Sequence, residues 1–160
     1  MRNYWLRRLV IAVAVFGAAM AVTDDANAQR RYRRGGLTKA QVDNIIRRIE
    51  TRTDSFVSSF DDALDRSRLD GTRREDNLNE RARDLESATD ELRREFDRRD
   101  TWQENRDEVR KCLNIASNIN AVIQRRRLSY GTERAWAALR YELNALARAY
   151  NLPAIGGAYR

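Results

Sequence analysis

The chain has 160 residues, a formal net charge of +7, one proline, one cysteine and no histidine. That length fits a single domain, and so few turn residues exclude an all-β sandwich. Without histidine the chain lacks the commonest acid–base catalyst and metal ligand, and a lone cysteine can neither close an internal disulfide nor build a thiolate metal site.

Residues 1–28 read as a secretory signal peptide. Arg2, Arg7 and Arg8 supply a positive start, Leu9 to Val22 an apolar stretch, and Ala26-Asn27-Ala28 a small-x-small cleavage pattern. As a helix the apolar stretch spans about 21 Å against a hydrocarbon core of roughly 30 Å, so a cleaved signal is expected rather than a retained anchor. The expected location is therefore the bacterial periplasm or the medium. Met1 and Met20 would leave with the signal, and the mature chain would hold neither His nor Met. No cofactor is expected on that basis. Haem axial ligation, the Glu-x-x-His motif of di-iron bundles and soft-metal sensing all lose their ligands.

Residues 29–36 form an arginine-rich arm, expected to be disordered, containing Arg30, Arg31, Arg33 and Arg34. From Leu37 to Tyr150 the chain carries 23 basic and 22 acidic residues. The basic surplus thus sits largely in the arm, and the body gives no reason to expect specific nucleic-acid recognition. The arm is a candidate contact for an anionic surface such as lipopolysaccharide, anionic lipid or nucleic acid, through a salt-sensitive attraction.

From Leu37 onward apolar residues recur at spacings of three and four, predicting helices at about 38–69, 73–99, 102–127 and 133–150, with a tail over 151–160. The first stripe runs Val42, Ile45, Ile46, Ile49, Thr53, Phe56, Phe60, Ala63, Leu64. The second is Leu78, Ala82, Leu85, Thr89, Leu92, Phe96. Trp102, Val109, Cys112, Leu113, Ala116, Ile119 and Ile123 form the third, and Trp136, Leu139, Leu143, Leu146, Ala147 and Tyr150 the fourth. Thr38 with Gln41, Thr72 with Glu75 and Thr101 with Glu104 match capping boxes, and Thr132 precedes the fourth helix. Gly71, Gly131 and Pro153 mark expected helix ends. Short links between long helices predict an all-α, up-down-up-down antiparallel four-helix bundle, with the fourth helix alone shorter. The rival assembly is an extended hairpin that hides its stripe by forming a homodimer.

Few residues invite a chemical reading. Cys112 lies on an apolar stripe and reads as core. Asp61, Asp62 and Asp65, with Asp70 beyond, are the densest carboxylates, but they fall on a helical pattern rather than a ligand-bearing loop. No catalytic, cofactor or metal set is assigned. Leu69-Asp-Gly-Thr-Arg-Arg-Glu-Asp76 combines a helix stop, a turn and a cap, and makes Asp70, Arg73 and Arg74 a candidate tip for touching a partner.

Two stretches carry resemblances. Residues 69–76, together with the Trp-x-x-Leu-Arg-x-Glu-Leu-Asn-x-Leu-Ala run at 136–147, resemble a group of uncharacterised secreted helical proteins of environmental bacteria. Leu37-Thr-Lys-Ala-Gln41 is similar to the LTxxQ motif of the Spy/CpxP family of periplasmic helical chaperones and stress adaptors, which usually carries the motif twice, whereas one copy is found here. The second resemblance implies a chaperone-like or stress-related role. The resulting expectation is a non-enzymatic exported bundle that binds an envelope protein or, alternatively, an anionic surface.

Overall fold

The structure, a computed structural model, describes residues 37–126 and 128–156. The expected signal segment at 1–28, the arm with Arg30, Arg31, Arg33 and Arg34, and residues 157–160 lie outside the described residues. Four helices account for nearly all of what is described: α1 (Lys39–Asp65), α2 (Arg73–Arg98), α3 (Arg106–Arg125) and α4 (Tyr130–Ala149), with a 3-10 turn at Trp102–Asn105 leading into α3. There is no strand among the described residues. The protein is an all-α four-helix bundle.

The stripes dictate the packing. Every residue of the first stripe is buried in α1, and the second stripe is equally buried in α2. α1 lies against α2 and α4, and α3 closes the ring between those two, while the diagonal pairs barely meet. Side-chain pairs fix the directions as antiparallel. Near the start of α1, Asp43 meets Arg93 near the end of α2 at 2.6 Å. Thr132 at the start of α4 donates its hydroxyl to the Ser59 carbonyl late in α1 at 2.9 Å. Between α3 and α4, Trp136 Nε1 donates to Asn120 Oδ1 at 3.0 Å. Phe56, Phe60 and Phe96 are the largest side chains sealed completely from water, and Phe56 sits 5.2 Å from Phe60 and 5.0 Å from Trp136 between ring centres. Aromatic contacts at those separations add to the burial itself.

Helix ends depart from expectation in instructive ways. At Thr38 the box forms in full: its hydroxyl accepts from Gln41 N at 3.2 Å while Gln41 Oε1 accepts from Thr38 N at 2.9 Å. Those residues are therefore engaged in starting α1. The helix stops at Asp65, four residues before the expected end, because Ser67 Oγ accepts the N–H of Leu69 at 3.0 Å. A serine that captures a nearby backbone donor competes with the helical ladder. Gly71 follows at φ 70°, a left-handed turn that glycine adopts without Cβ strain. Thr72 accepts from Glu75 N at 3.3 Å, but the Glu75 carboxylate takes the N–H of Gly71 at 2.7 Å instead of closing the box. Thr101 makes no side-chain cap, since its hydroxyl is turned to the Glu104 carboxylate.

The fourth helix begins three residues earlier than expected, capped by Ser129, whose hydroxyl accepts from Thr132 N at 3.2 Å. Gly131 lies within that first turn rather than at a helix end. With α3 and α4 both 20 residues and α1 and α2 27 and 26, two helices are short rather than one. At the far end of α4, Asn151 adopts φ 52°, Leu152 N bonds to Ala147 O at 2.8 Å, and Asn151 N to Arg148 O at 3.2 Å. This is the Schellman arrangement with asparagine in the left-handed position. Residues 151–156 are not a free tail: Ile155 is buried, and its N–H donates to Asn144 Oδ1 at 2.7 Å.

Candidate functional site

Nine arginines of the described body face acids in ion pairs. Arg47 and Arg93 share Asp43, Arg48 and Arg52 share the buried Glu142 at 3.0 and 3.6 Å, and Arg99 links Glu95 to Glu108. Burial opposes ionisation of Asp43, but hydrogen bonds and charge from Arg47 and Arg93 prevail and hold its carboxyl below the usual range. The exposed i,i+3 and i,i+4 pairs, such as Arg66 with Asp62, contribute only tenths of a kcal/mol each, on the order of 0.3–0.5. Five helical spacings set an acid four residues ahead of a base: Asp43–Arg47, Asp62–Arg66 and Glu95–Arg99 form ion pairs, whereas in Asp90–Arg94 and Asp107–Lys111 Arg94 turns instead to Glu91 and Asp107 to Arg110.

The bundle end that carries the α1–α2 turn is different. Carboxylate oxygens of Asp65, Asp70 and Glu75 come within 4.8 Å of one another across the turn. Glu75 is buried there, and its pKa is raised, first by loss of water and then by the charges of Asp65 and Asp70, with the Gly71 N–H pulling the other way. The sequence pattern set Asp65 with Asp61 and Asp62 on a helix that was expected to run to residue 69, whereas α1 ends at Asp65 and the turn brings Asp70 back to it. Glu75 joins them because its side chain folds back toward Gly71 instead of capping. Asp61 stays out of the group and Asp62 pairs with Arg66. Among the described residues this trio comes nearest to a cation-binding arrangement, and one Glu75 oxygen is already engaged by the backbone.

One helical face away lies the opposite charge. Arg74, Asn77, Leu78 and Arg81 on α2 and Val122, Arg125 and Arg126 at the end of α3 line an open groove of about 670 Å³. On α2 these positions fall at i, i+3, i+4 and i+7, one face of a helix. Leu78 and Val122 form its apolar floor, and no carboxylate lines it. None of the four arginines takes part in an ion pair among the described residues.

Of the expected tip residues, Arg74 lines this groove, Asp70 belongs to the acidic trio, and Arg73 opens α2 with its carbonyl accepting from Asn77. The tip is thus split into an acidic and a basic half. Arg81, Arg125 and Arg126 are groove residues that the spacing of charges along one helix does not single out. A signal for them does exist: residues 109–132 contain no acidic residue at all, so the α3 face has nothing to pair with cations from α2.

The core offers little chemistry. Cys112 is fully buried, its thiol donates to Ala88 O at 3.3 Å, and burial pushes its pKa up to about 12. Thiolate chemistry is closed to it in the folded state. At the opposite end of the bundle Tyr150 donates to Trp102 O at 2.6 Å, and burial followed by the Glu108 charge pushes the phenol above its usual range.

Comparison with protein-family models, with curated proteins and with solved structures finds no match to any of them. None of the described helices is long and apolar enough to cross a membrane.

Proposed function

We propose that the protein is a non-catalytic, exported envelope protein whose helical bundle holds another macromolecule in a chaperone-like or stress-related role. The observation that carries this reading is the charge arrangement at the α1–α2 end. Acidic residues Asp65, Asp70 and Glu75 and basic residues Arg74, Arg81, Arg125 and Arg126 stand side by side there, segregated by sign, whereas at Asp43, Glu108 and Glu142 acids and arginines are joined in pairs. A surface with unpaired charges of both signs suits a partner recognised by electrostatic complementarity. Export is inferred from the 1–28 pattern, and the LTxxQ resemblance supports the chaperone-like role.

The test is suppression of light scattering by a chemically unfolded client at stoichiometric protein, compared with a variant in which Asp70, Arg73 and Arg74 are reversed in charge. Protection that the reversal abolishes supports the reading. Equal aggregation with and without the protein defeats it.

A second reading assigns binding of an anionic surface to Arg30, Arg31, Arg33 and Arg34. It is supported by the near balance of charge from Leu37 to Tyr150, which leaves much of the basic surplus in that arm. Deleting residues 29–36 should abolish binding to anionic vesicles, and added salt should weaken it. Vesicle binding indifferent to both would remove this alternative.

A further inference from the structure

The α2–α3 groove has a charge that the fold does not require. Arg125 and Arg126 sit at the C-terminal end of α3, where cations offset the helix dipole. Arg74 has no such explanation. It occupies the first turn of α2, where a positive charge opposes the dipole. Arg81 stands two turns further along the same face, about 10 Å away along the axis. The four guanidiniums therefore line two sides of one groove, without carboxylates between them. Their mutual repulsion is relieved when an anion lies among them.

Three features define the anion. Guanidinium forks match phosphate oxygens in bidentate pairs, which compact ammonium groups do not. With Arg74 and Arg81 about 10 Å apart along the axis of α2, an anion extended along the helix can meet both without drawing the two side chains together. An open groove with no aromatic ring in its lining gives bases nothing to stack on, so a nucleic-acid strand has no particular hold. We propose that this groove binds a linear oligophosphate of three or more phosphates, laid along α2 with its oxygens held by Arg74 and Arg81 on one side and Arg125 and Arg126 on the other. The inference rests on reading the protein as a binding module and names a ligand class for the basic half of its charged end.

The experiment is calorimetric titration of the purified protein with inorganic triphosphate and, separately, orthophosphate at fixed ionic strength. The double variant R81Q/R125Q removes two groove charges at exposed positions. The control R83Q/R134Q removes two charges from outside the groove lining. Triphosphate should bind at least about tenfold more tightly than orthophosphate, R81Q/R125Q should lose about tenfold or more, and the control less than about twofold. Circular dichroism of each variant establishes that it is folded. Equal loss in both variants would reduce the effect to net charge and overturn the proposal. So would an unchanged R81Q/R125Q, orthophosphate binding as tightly as triphosphate, or phosphatidylglycerol vesicles competing for the same arginines more strongly than triphosphate. A protein that binds triphosphate in the groove yet protects no client keeps this inference and loses the chaperone-like reading.

Discussion

Asn120 on α3 and Trp136 on α4 are joined by a buried hydrogen bond from the indole N–H to the amide oxygen at 3.0 Å, and Arg140 donates to the same oxygen at 3.3 Å. Asn120 and Trp136 are both nearly inaccessible to water. The bond fixes the level of α4 against α3, because sliding either helix by a turn would strand an indole donor in the core. Replacing Asn120 by Leu should destabilise the protein by about 1–3 kcal/mol, the cost of a buried donor left without an acceptor. In a double-mutant cycle with Trp136→Phe, urea unfolding should return a coupling energy of about 1 kcal/mol. Simple additivity would mean that the bond does not set the register.

Phe56 is the centre of the aromatic cluster, in contact range of both Phe60 and Trp136 and fully buried. Phe56→Ala should cost about 3–5 kcal/mol by lost burial and residual cavity. The checkable signature is a lower urea midpoint at unchanged slope.

The Asp43–Arg93 pair ties α1 to α2, and the Asp43 pKa is depressed in the folded state. A depressed carboxylate stabilises the fold above its unfolded pKa, near 3.8, and that contribution disappears as pH falls through the lower folded value. Asp43→Asn should therefore lower stability by about 1–2 kcal/mol at neutral pH. Thermal melts of the variant and the parent should converge in strong acid.

Glu75 predicts the opposite sign. Its folded pKa is raised above the ordinary 4.5, so the folded state favours the protonated form, and stability falls as pH rises from that value through the folded pKa. Glu75→Gln keeps an oxygen for the Gly71 N–H and removes one charge from the trio. It should raise the melting temperature at pH 7, with the gain fading below about pH 4.5. A variant that melts lower than the parent at pH 7 would show that the trio is not repulsive.

Cys112 offers a readout of global opening. With its thiol sealed and its pKa near 12, it should resist an aromatic disulfide reagent at pH 8 for as long as the bundle stays closed. Labelling rates measured across a urea series should track unfolding. Rapid labelling of native protein would place the cysteine on a locally mobile segment.

Much of this architecture was legible because the stripes are unambiguous. Val42, Ile45, Ile46 and Ile49 can face only one way on a helix, and the same holds for Leu139, Leu143 and Leu146. The ends were harder. Ser67 and Ser129 decide where α1 stops and α4 starts through single hydrogen bonds, and neighbouring threonines and glycines advertise rival positions equally well. The charged end was least legible of all. Asp65 and Glu75 meet across a turn, and Arg81 and Arg126 line one groove from two helices, so both groupings depend on the register between elements rather than on spacing within one. Arg74, the one groove residue that the sequence singled out, stood out because it lies within a distinctive turn.

The hook formed by Asn151 to Ile155 has a consequence for how the protein comes into being. Among the described residues Ile155 is the last interior side chain in chain order, docking only after α4 has been made. During synthesis the α1–α2 hairpin is complete long before its cover, so for that interval its greasy flank stands open to solvent. The interior shuts as a late, long-range event, and the newborn chain is most vulnerable to clumping just before it does.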